Sequence, residues 1–357
     1  MTSRERVEAA LRHEDPDRTP VFEYVLLSPV ADQLIGRPYA MEPKHWPALL
    51  AEKGWERAVR QMAVDRLDLA ERIGEDMIYV VPNPMPDQKS TEFEFVTEDL
   101  AGDPAETVAR RNERRAEGFE KKQPDEPYRI YHELKAEMAR RGLDLPILAP
   151  AYAHGVWTDV DLMATMSLDP EVARRHFELC TRESIAAVER YAELGLDQAG
   201  VGGDFAGNRP LISPQAYREF IMPEVRKVAR RAHELGMRAV NASDGNLWSV
   251  IEDFLIGCEV DGYLEIDLHA GMDLRKLKVA YGDRVTLYGN LDCGNTLSFG
   301  TEDEVRRHVI ECLEAGAGRG GHILCASNAI TESVPLRNYV AVIRAYREFF
   351  VLLQFQT

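Results

Sequence analysis

No apolar run in the sequence approaches the roughly 18 residues that a membrane-spanning helix needs, which argues against an integral membrane protein. The opening, MTSRERVEAALRHEDPDRTP, lacks an apolar centre and a small-residue cleavage site, so it does not read as a signal peptide. Cysteine is scarce. The five residues Cys180, Cys258, Cys293, Cys312 and Cys325 are odd in number and form no CxxC pair, which argues against a disulfide framework and for a reducing, cytoplasmic setting. Positive charge is outnumbered: 43 Lys and Arg stand against 60 Asp and Glu, a formal net charge of -17. Phosphate backbones need a basic surface, so nucleic acid is excluded as a partner class. There is no internal repeat. The glycine-rich GVGGD (200–204) lacks both the GxGxxG and the Walker spacing, so it is not a nucleotide loop; glycine there permits a sharp turn or a close approach.

What the sequence does contain is 45% hydrophobic and 29% charged residues, ordinary globular composition with enough length for a large core. Short apolar runs alternate with amphipathic stretches. The strand candidates are PVFEYVL (20–26), DMIYVV (76–81), PILAPAY (146–152), DQAGVGG (197–203), MRAVNAS (237–243), VDGYLEI (260–266), RVTLYGN (284–290) and GHILCAS (321–327). Helical spacing marks 170–194 and 214–235, and Thr301 with Glu304 forms a capping-box pattern opening a helix that closes near Gly316. This rhythm implies a parallel sheet with helical crossovers, and eight such strands close into a (β/α)8 barrel, a TIM barrel forming one domain over 1–357. An open doubly wound sheet is the alternative. Residues 82–145 read as an irregular insertion between strands two and three: a proline-rich loop and short hairpin (82–106), then the charged RRNERRAEGFEKKQPDEP (110–127). It is either a solvated insertion or a lid over the barrel.

Barrel enzymes carry their sites at the C-terminal strand ends. The polar residues expected there are Glu23 and Tyr24, Asp76, Tyr152 and His154, Asp204, Asn241, Ser243 and Asp244, then Glu265, Asp267 and His269, Asn290 and Asp292, and Ser327 and Asn328. Asp204, Asp244, Glu265 and Asp267 are the catalytic candidates, as carboxyl groups able to give a proton to a leaving group. The others are substrate-binding candidates. Glu265, Asp267 and His269 are spaced two apart. An extended strand would point all three one way, as a divalent-metal set; a strand ending near Asp267 would instead leave the acids capping backbone amides. Cys325, inside a strand run, is either a small core residue or a nucleophile.

In order along the chain, RERVEAALRHEDPDRTPV, LISPQAYREFIMPEV, VTLYGNLD and GGHILCASNAITESVPLRNYVAVI resemble the uroporphyrinogen decarboxylase superfamily, and AGMDLRKLKVAYGDR resembles its methylcobamide:coenzyme M methyltransferase relatives. The resemblance implies the barrel, a homodimer, and either decarboxylation of a tetrapyrrole or methyl transfer with a corrinoid protein. The sequence departs from both signatures. Where the decarboxylases carry the arginines of RQAGR, this chain reads VLLSP (25–29). Where the methyltransferases place an HxC pair and a later cysteine as zinc ligands, it reads Asn241-Ala242-Ser243 and Asn328. The aspartate expected near the second strand is matched by Asp76. Three readings follow: methyl transfer between a small methylated compound and a corrinoid protein, decarboxylation of a tetrapyrrole or smaller acid, or a non-catalytic binding protein. A relocated divalent metal (zinc among them) on Asp244, Glu265, Asp267 or His269 stays open.

Overall fold

A computed structural model describes residues 1–88, 102–119 and 124–354. Seven parallel strands run in sequence order: β1 (Ile78–Tyr79), β2 (Ile147–Pro150), β3 (Gln198–Gly202), β4 (Arg238–Ala242), β5 (Gly262–Leu264), β6 (Thr286–Tyr288) and β7 (His322–Ile323). The sheet curls until its edges are joined by the segment around Val21, as the barrel expectation requires. Phe22 donates its amide to the Leu324 carbonyl (3.1 Å), Leu324 donates to Pro20 (2.8 Å), and Asp76 donates to Val21 (2.7 Å). This segment is not a full eighth strand, and the reason is local. Pro20 has no amide to give. The amides of Val21 and Glu23 are taken by side-chain carboxylates, Asp76 Oδ2 (3.1 Å) and Glu75 Oε1 (3.0 Å), where ladder carbonyls would otherwise stand.

Alternation sorts each strand between two cores. Phe22, Tyr79, Leu148, Val240, Ala242, Leu264, Tyr288, Ile323 and Cys325 fill the barrel interior, and the opening helix Ser3–Leu11 plugs its N-terminal end with Val7, Ala10 and Leu11. That interior holds Cys325 as a packing residue, its thiol pushed well up by burial. The opposite strand faces pack against the surrounding helices. The expected helices form at Pro170–Glu193 and over 214–234, the latter opening through a π-turn at Tyr217–Ile221, and the Thr301–Glu304 capping box starts Glu302–Gly316.

The 82–145 stretch departs from the irregular reading. It contains the helices Pro104–Gly118 and Arg129–Arg141. Charge masked them, because only a narrow apolar stripe is buried: Val108 on the first, and Ile130, Tyr131, Leu134 and Met138 on the second. The hairpin expected within 82–106 falls largely outside the described residues. No helix is long and apolar enough to cross a membrane among the described residues.

Candidate active site

At the C-terminal rim, the residues just past β3, β4 and β5 bring three carboxyl groups together. Asp204, Asp244 and Glu265 each offer an oxygen within 4.8 Å of the others. The chain reaches this arrangement through glycine. After β3, Gly202 (φ 86°) and Gly203 (φ 145°) turn the backbone sharply, and a Cβ on Gly202 would stand 2.1 Å from Asn241 Oδ1. Only glycine fits there. Glu265 itself has φ 72°. That is the left-handed region, which costs a non-glycine residue about 1–2 kcal/mol. Asp204 Oδ1 accepts from the Asp244 amide (3.1 Å), and Asn328 Nδ2 donates to Asp244 Oδ2.

Among the described residues, none of the three carboxylates pairs with a cationic side chain. Burial, reinforced by the charges of Asp204 and Asp267, pushes the Asp244 carboxyl up to about 7. Burial and the charges of Asp244 and Asp204 push Glu265 well above the carboxylate range, and burial also raises Asp204. Like charges in a low-dielectric site cannot all ionise, so the cluster retains protons near neutral pH.

Tyrosines surround the acids. The rings of Tyr24 and Tyr79 stack tilted at 4.5 Å. Burial first, and the Glu265 charge among the further causes, raises the hydroxyls of Tyr24, Tyr79, Tyr152 and Tyr263. Among the described residues the Tyr152 and Tyr263 hydroxyls have no hydrogen-bond partner; Tyr263 itself turns outward into the helix layer, its ring 5.1 Å from that of Phe254. Beside this wall lies a cavity of about 80 Å³ lined by Glu23, Tyr24, Tyr39, Met41, Leu69 and Tyr79 among others. Glu23 is fully held there, accepting from Tyr339 Oη (3.0 Å) and the Ala326 amide (3.2 Å), and burial pushes it up to about 8. Arg66 is committed to Glu75 at 2.6 Å.

Several candidates from the sequence lie elsewhere. Asp76 precedes β1, so it sits at the opposite end of the barrel, fully buried and ion-paired to Arg6 (2.6 Å) and Arg18 (2.7 Å). His154 turns into the helix layer, its Nε2 2.9 Å from Thr181 Oγ1, and burial drives it down to about 3, hence neutral. Strand parity turns Asn241 outward, where Nδ2 donates to the Phe254 carbonyl (3.1 Å), whereas Ser243 stays at the rim, its Oγ donating to the Asp244 carbonyl (3.1 Å) and its side chain hydrogen-bonded with Asp204. Asn290 lies buried against Cys312.

The carboxylate, carboxylate, imidazole set past β5 does not form, because the strand ends at Leu264. Asp267 Oδ1 accepts from the His269 and Ala270 amides (2.9 and 3.0 Å), and His269 Nε2 lies 2.7 Å from Asp292 Oδ1. Asp292 in turn accepts from the Asn295 and Thr296 amides (3.0 and 2.9 Å). Sequence reasoning missed Tyr79, whose position inside a strand run gives no signal beyond core packing.

A zinc thiolate centre does not fit these residues. Asn241 is engaged away from the rim, the Ser243 hydroxyl is engaged by the Asp244 carbonyl, Asn328 is spent on Asp244, and no thiol joins the acids in the cluster. The donor set that does converge is all carboxylate, a chemistry suited to hard cations rather than soft ones.

The model of the family described as "Uroporphyrinogen decarboxylase (URO-D)" matches residues 148–349. A uroporphyrinogen decarboxylase from Syntrophotalea carbinolica is 25% identical over 169 residues, 47% of this chain and 46% of that protein. A methylated-thiol–coenzyme M methyltransferase from Methanosarcina mazei is 25% identical over 206 residues, 57% of this chain and 53% of that protein. The chain thus spans about half the length of the curated relatives it matches. Among solved structures, a methyltransferase from Methanosarcina mazei superposes with a TM-score of 0.68 at 20% identity, covering 98% of this chain and 99% of its own, a likeness of fold.

Proposed function

The chain belongs to the uroporphyrinogen decarboxylase family, and from that premise we propose that it transfers a methyl group from a small methylated compound to a corrinoid carried by a partner protein. The observation that carries this reading is the convergence of Asp204, Asp244 and Glu265, with no cationic partner among the described residues. A tetrapyrrole bearing eight carboxylates needs cations to hold it. Here the converging groups are acids, and the nearby Arg66 is neutralised by Glu75. The site therefore opposes polyanion binding and suits a neutral or cationic methyl donor. The corrinoid, held by its own protein, would supply the nucleophile.

The chain's part is to bind the donor and place a proton. A carboxyl group near 7 is matched to proton transfer at neutral pH, an effect worth about 10²–10⁴-fold. Asp244 meets that condition, and the Asn328 amide fixes its orientation. Exposed apolar side chains in the segments following the strands (Val81, Trp157, Val160, Leu211, Leu268 and Phe299) support docking of a partner at this end. The test is methyl transfer from a panel of methylated amines, ethers and thioethers to reduced corrinoid proteins, followed by corrinoid absorbance. Transfer that is lost in Asp244→Asn supports the reading. No transfer and no binding to any corrinoid protein, with and without added metal, overturns it.

A further inference from the structure

We propose that the Asp204–Asp244–Glu265 cluster is a receptor for an N–H-bearing methylated ammonium ion, with the substrate's short alkyl remainder lying against the Tyr24–Tyr79 wall. This rests on the methyl-transfer reading for what is done to the bound compound; the binding claim stands on the site itself.

Four observations carry it. The first is size. Three acceptors lying within 4.8 Å of one another leave a point no more than about 2.8 Å from all three, within N–H···O reach. Three acceptors at that range match an ammonium group, which offers up to three donors. The second is charge. Among the described residues these acids have no cationic partner, whereas Asp76, Asp197 and Asp261 at the other end of the barrel are paired to Arg6 and Arg18, to Arg4, and to His233 and Arg238. A cation is the missing counterpart.

The third is the wall. Tyr24, Tyr79 and Tyr152 place aromatic surface beside the acids, and aromatic faces attract alkylammonium ions. The Tyr152 hydroxyl is buried with no hydrogen-bond partner among the described residues, and the charges of Glu265 and Asp204 act on it. It is an unspent polar group at the edge of the cluster. The fourth is the adjoining cavity, about 80 Å³ and largely apolar beyond Glu23 and the Arg66–Glu75 pair. An apolar cavity of about 150 Å³ holds benzene, so this one suits a short alkyl group rather than a ring.

The chemistry balances. An amine entering neutral takes the proton that the acids retain, and the carboxylates then hold it as the ammonium. When the C–N bond breaks, its electron pair stays on nitrogen, which leaves as a neutral amine carrying that proton. The methyl group passes to the nucleophile of the corrinoid protein. The carboxylates thus keep the nitrogen four-bonded, the form in which it can leave.

The test is calorimetric binding to the full chain, without any corrinoid protein, using dimethylammonium, trimethylammonium, tetramethylammonium and the uncharged dimethyl ether as probes. Metal content is measured by mass spectrometry before and after chelator treatment. Dimethylammonium and trimethylammonium are expected to bind at least tenfold more tightly than tetramethylammonium, which has no N–H, with no detectable ether binding. Asp204→Asn and Glu265→Gln should each weaken ammonium binding at least tenfold, with thermal unfolding confirming the fold. Repeating the titration in buffers of different ionisation enthalpy should show proton release on ammonium binding. Ether binding as tight as ammonium binding overturns the proposal, and so does a stoichiometric divalent metal whose occupancy excludes the ammonium. Acid-dependent ammonium binding without methyl transfer to any corrinoid protein would instead overturn the methyl-transfer reading. Methyl transfer from an ether with no ammonium binding would overturn only this one.

Discussion

The two ends of the barrel treat the same residue types in opposite ways. Just before β1, β3 and β5 stand Asp76, Asp197 and Asp261. Asp76 meets Arg6 and Arg18, Asp197 meets Arg4, and Asp261 meets His233 at 2.7 Å and Arg238 at 2.8 Å. Just after β3, β4 and β5 stand Asp204, Asp244 and Glu265, which meet one another instead. The first set ties the strands to the opening helix and the outer layer. The second set stores repulsion. Barrels place stability at the N-terminal face and chemistry at the C-terminal face, and here charge pairing draws that line residue by residue.

The comparison is sharpened most by removing charge from each end in turn. Asp244→Asn and Glu265→Gln should lower the proposed methyl transfer by about 10²–10⁴-fold, the usual contribution of a positioned proton donor. Their urea unfolding curves should show no loss of stability, since each removes a buried, unpaired charge. Asp76→Ala should do the reverse. It leaves Arg6 and Arg18 facing a buried void and should cost about 3–5 kcal/mol in urea unfolding. Activity per folded molecule should survive.

The ends should also separate on pH. A carboxyl raised in the folded state binds protons that the unfolded chain has given up, so its contribution to stability falls as pH rises from its unfolded value through its folded one. For Asp244 that window runs from about 4 to about 7. At the other end, the hydrogen bond from Arg6, with burial opposing it, holds Asp17 down to about 2. Asp261 is likewise lowered, burial being outweighed by the bonds from His233 and the Ala239 amide. Their stabilisation is present above about pH 4 and is lost as pH falls below it, for Asp17 down to about 2. Thermal melts across pH 2–8 should therefore show an acid arm and a neutral arm, and Asp244→Asn should flatten only the neutral arm. The smallest effect concerns the plug at the N-terminal end. Thr2 caps the opening helix in a capping box with Glu5, so Thr2→Ala should lower stability by about 1 kcal/mol with no change in activity.

Much of this was legible in the sequence, for identifiable reasons. Seven of the eight strand runs form strands because parallel strands buried on both faces read as short apolar blocks. Asp204, Asp244 and Glu265 were expected at the rim from their position past those blocks, and the structure places them there. The failures are equally local. Asp76 was placed on the rim because strand direction fixes an end only when the strand is located to within two residues, and β1 starts at Ile78. Asn241 was placed there because one residue of parity separates inward from outward. The metal set past β5 required extended backbone through His269, which the left-handed Glu265 and the amide-capping Asp267 prevent. The crossover helices hid behind charge. The paired cations at the other end, each distant in sequence from its aspartate, have no periodic signature at all.

The most direct test is the stability of Asp244→Asn at pH 8, measured by urea unfolding beside the parent chain. If the acids past β3, β4 and β5 are held together against their own repulsion, the variant is at least as stable as the parent. A loss of 2 kcal/mol or more, on the scale of a buried charge deprived of its partner, would mean that Asp244 is a structural anchor like Asp76, and the contrast between the two ends would fail.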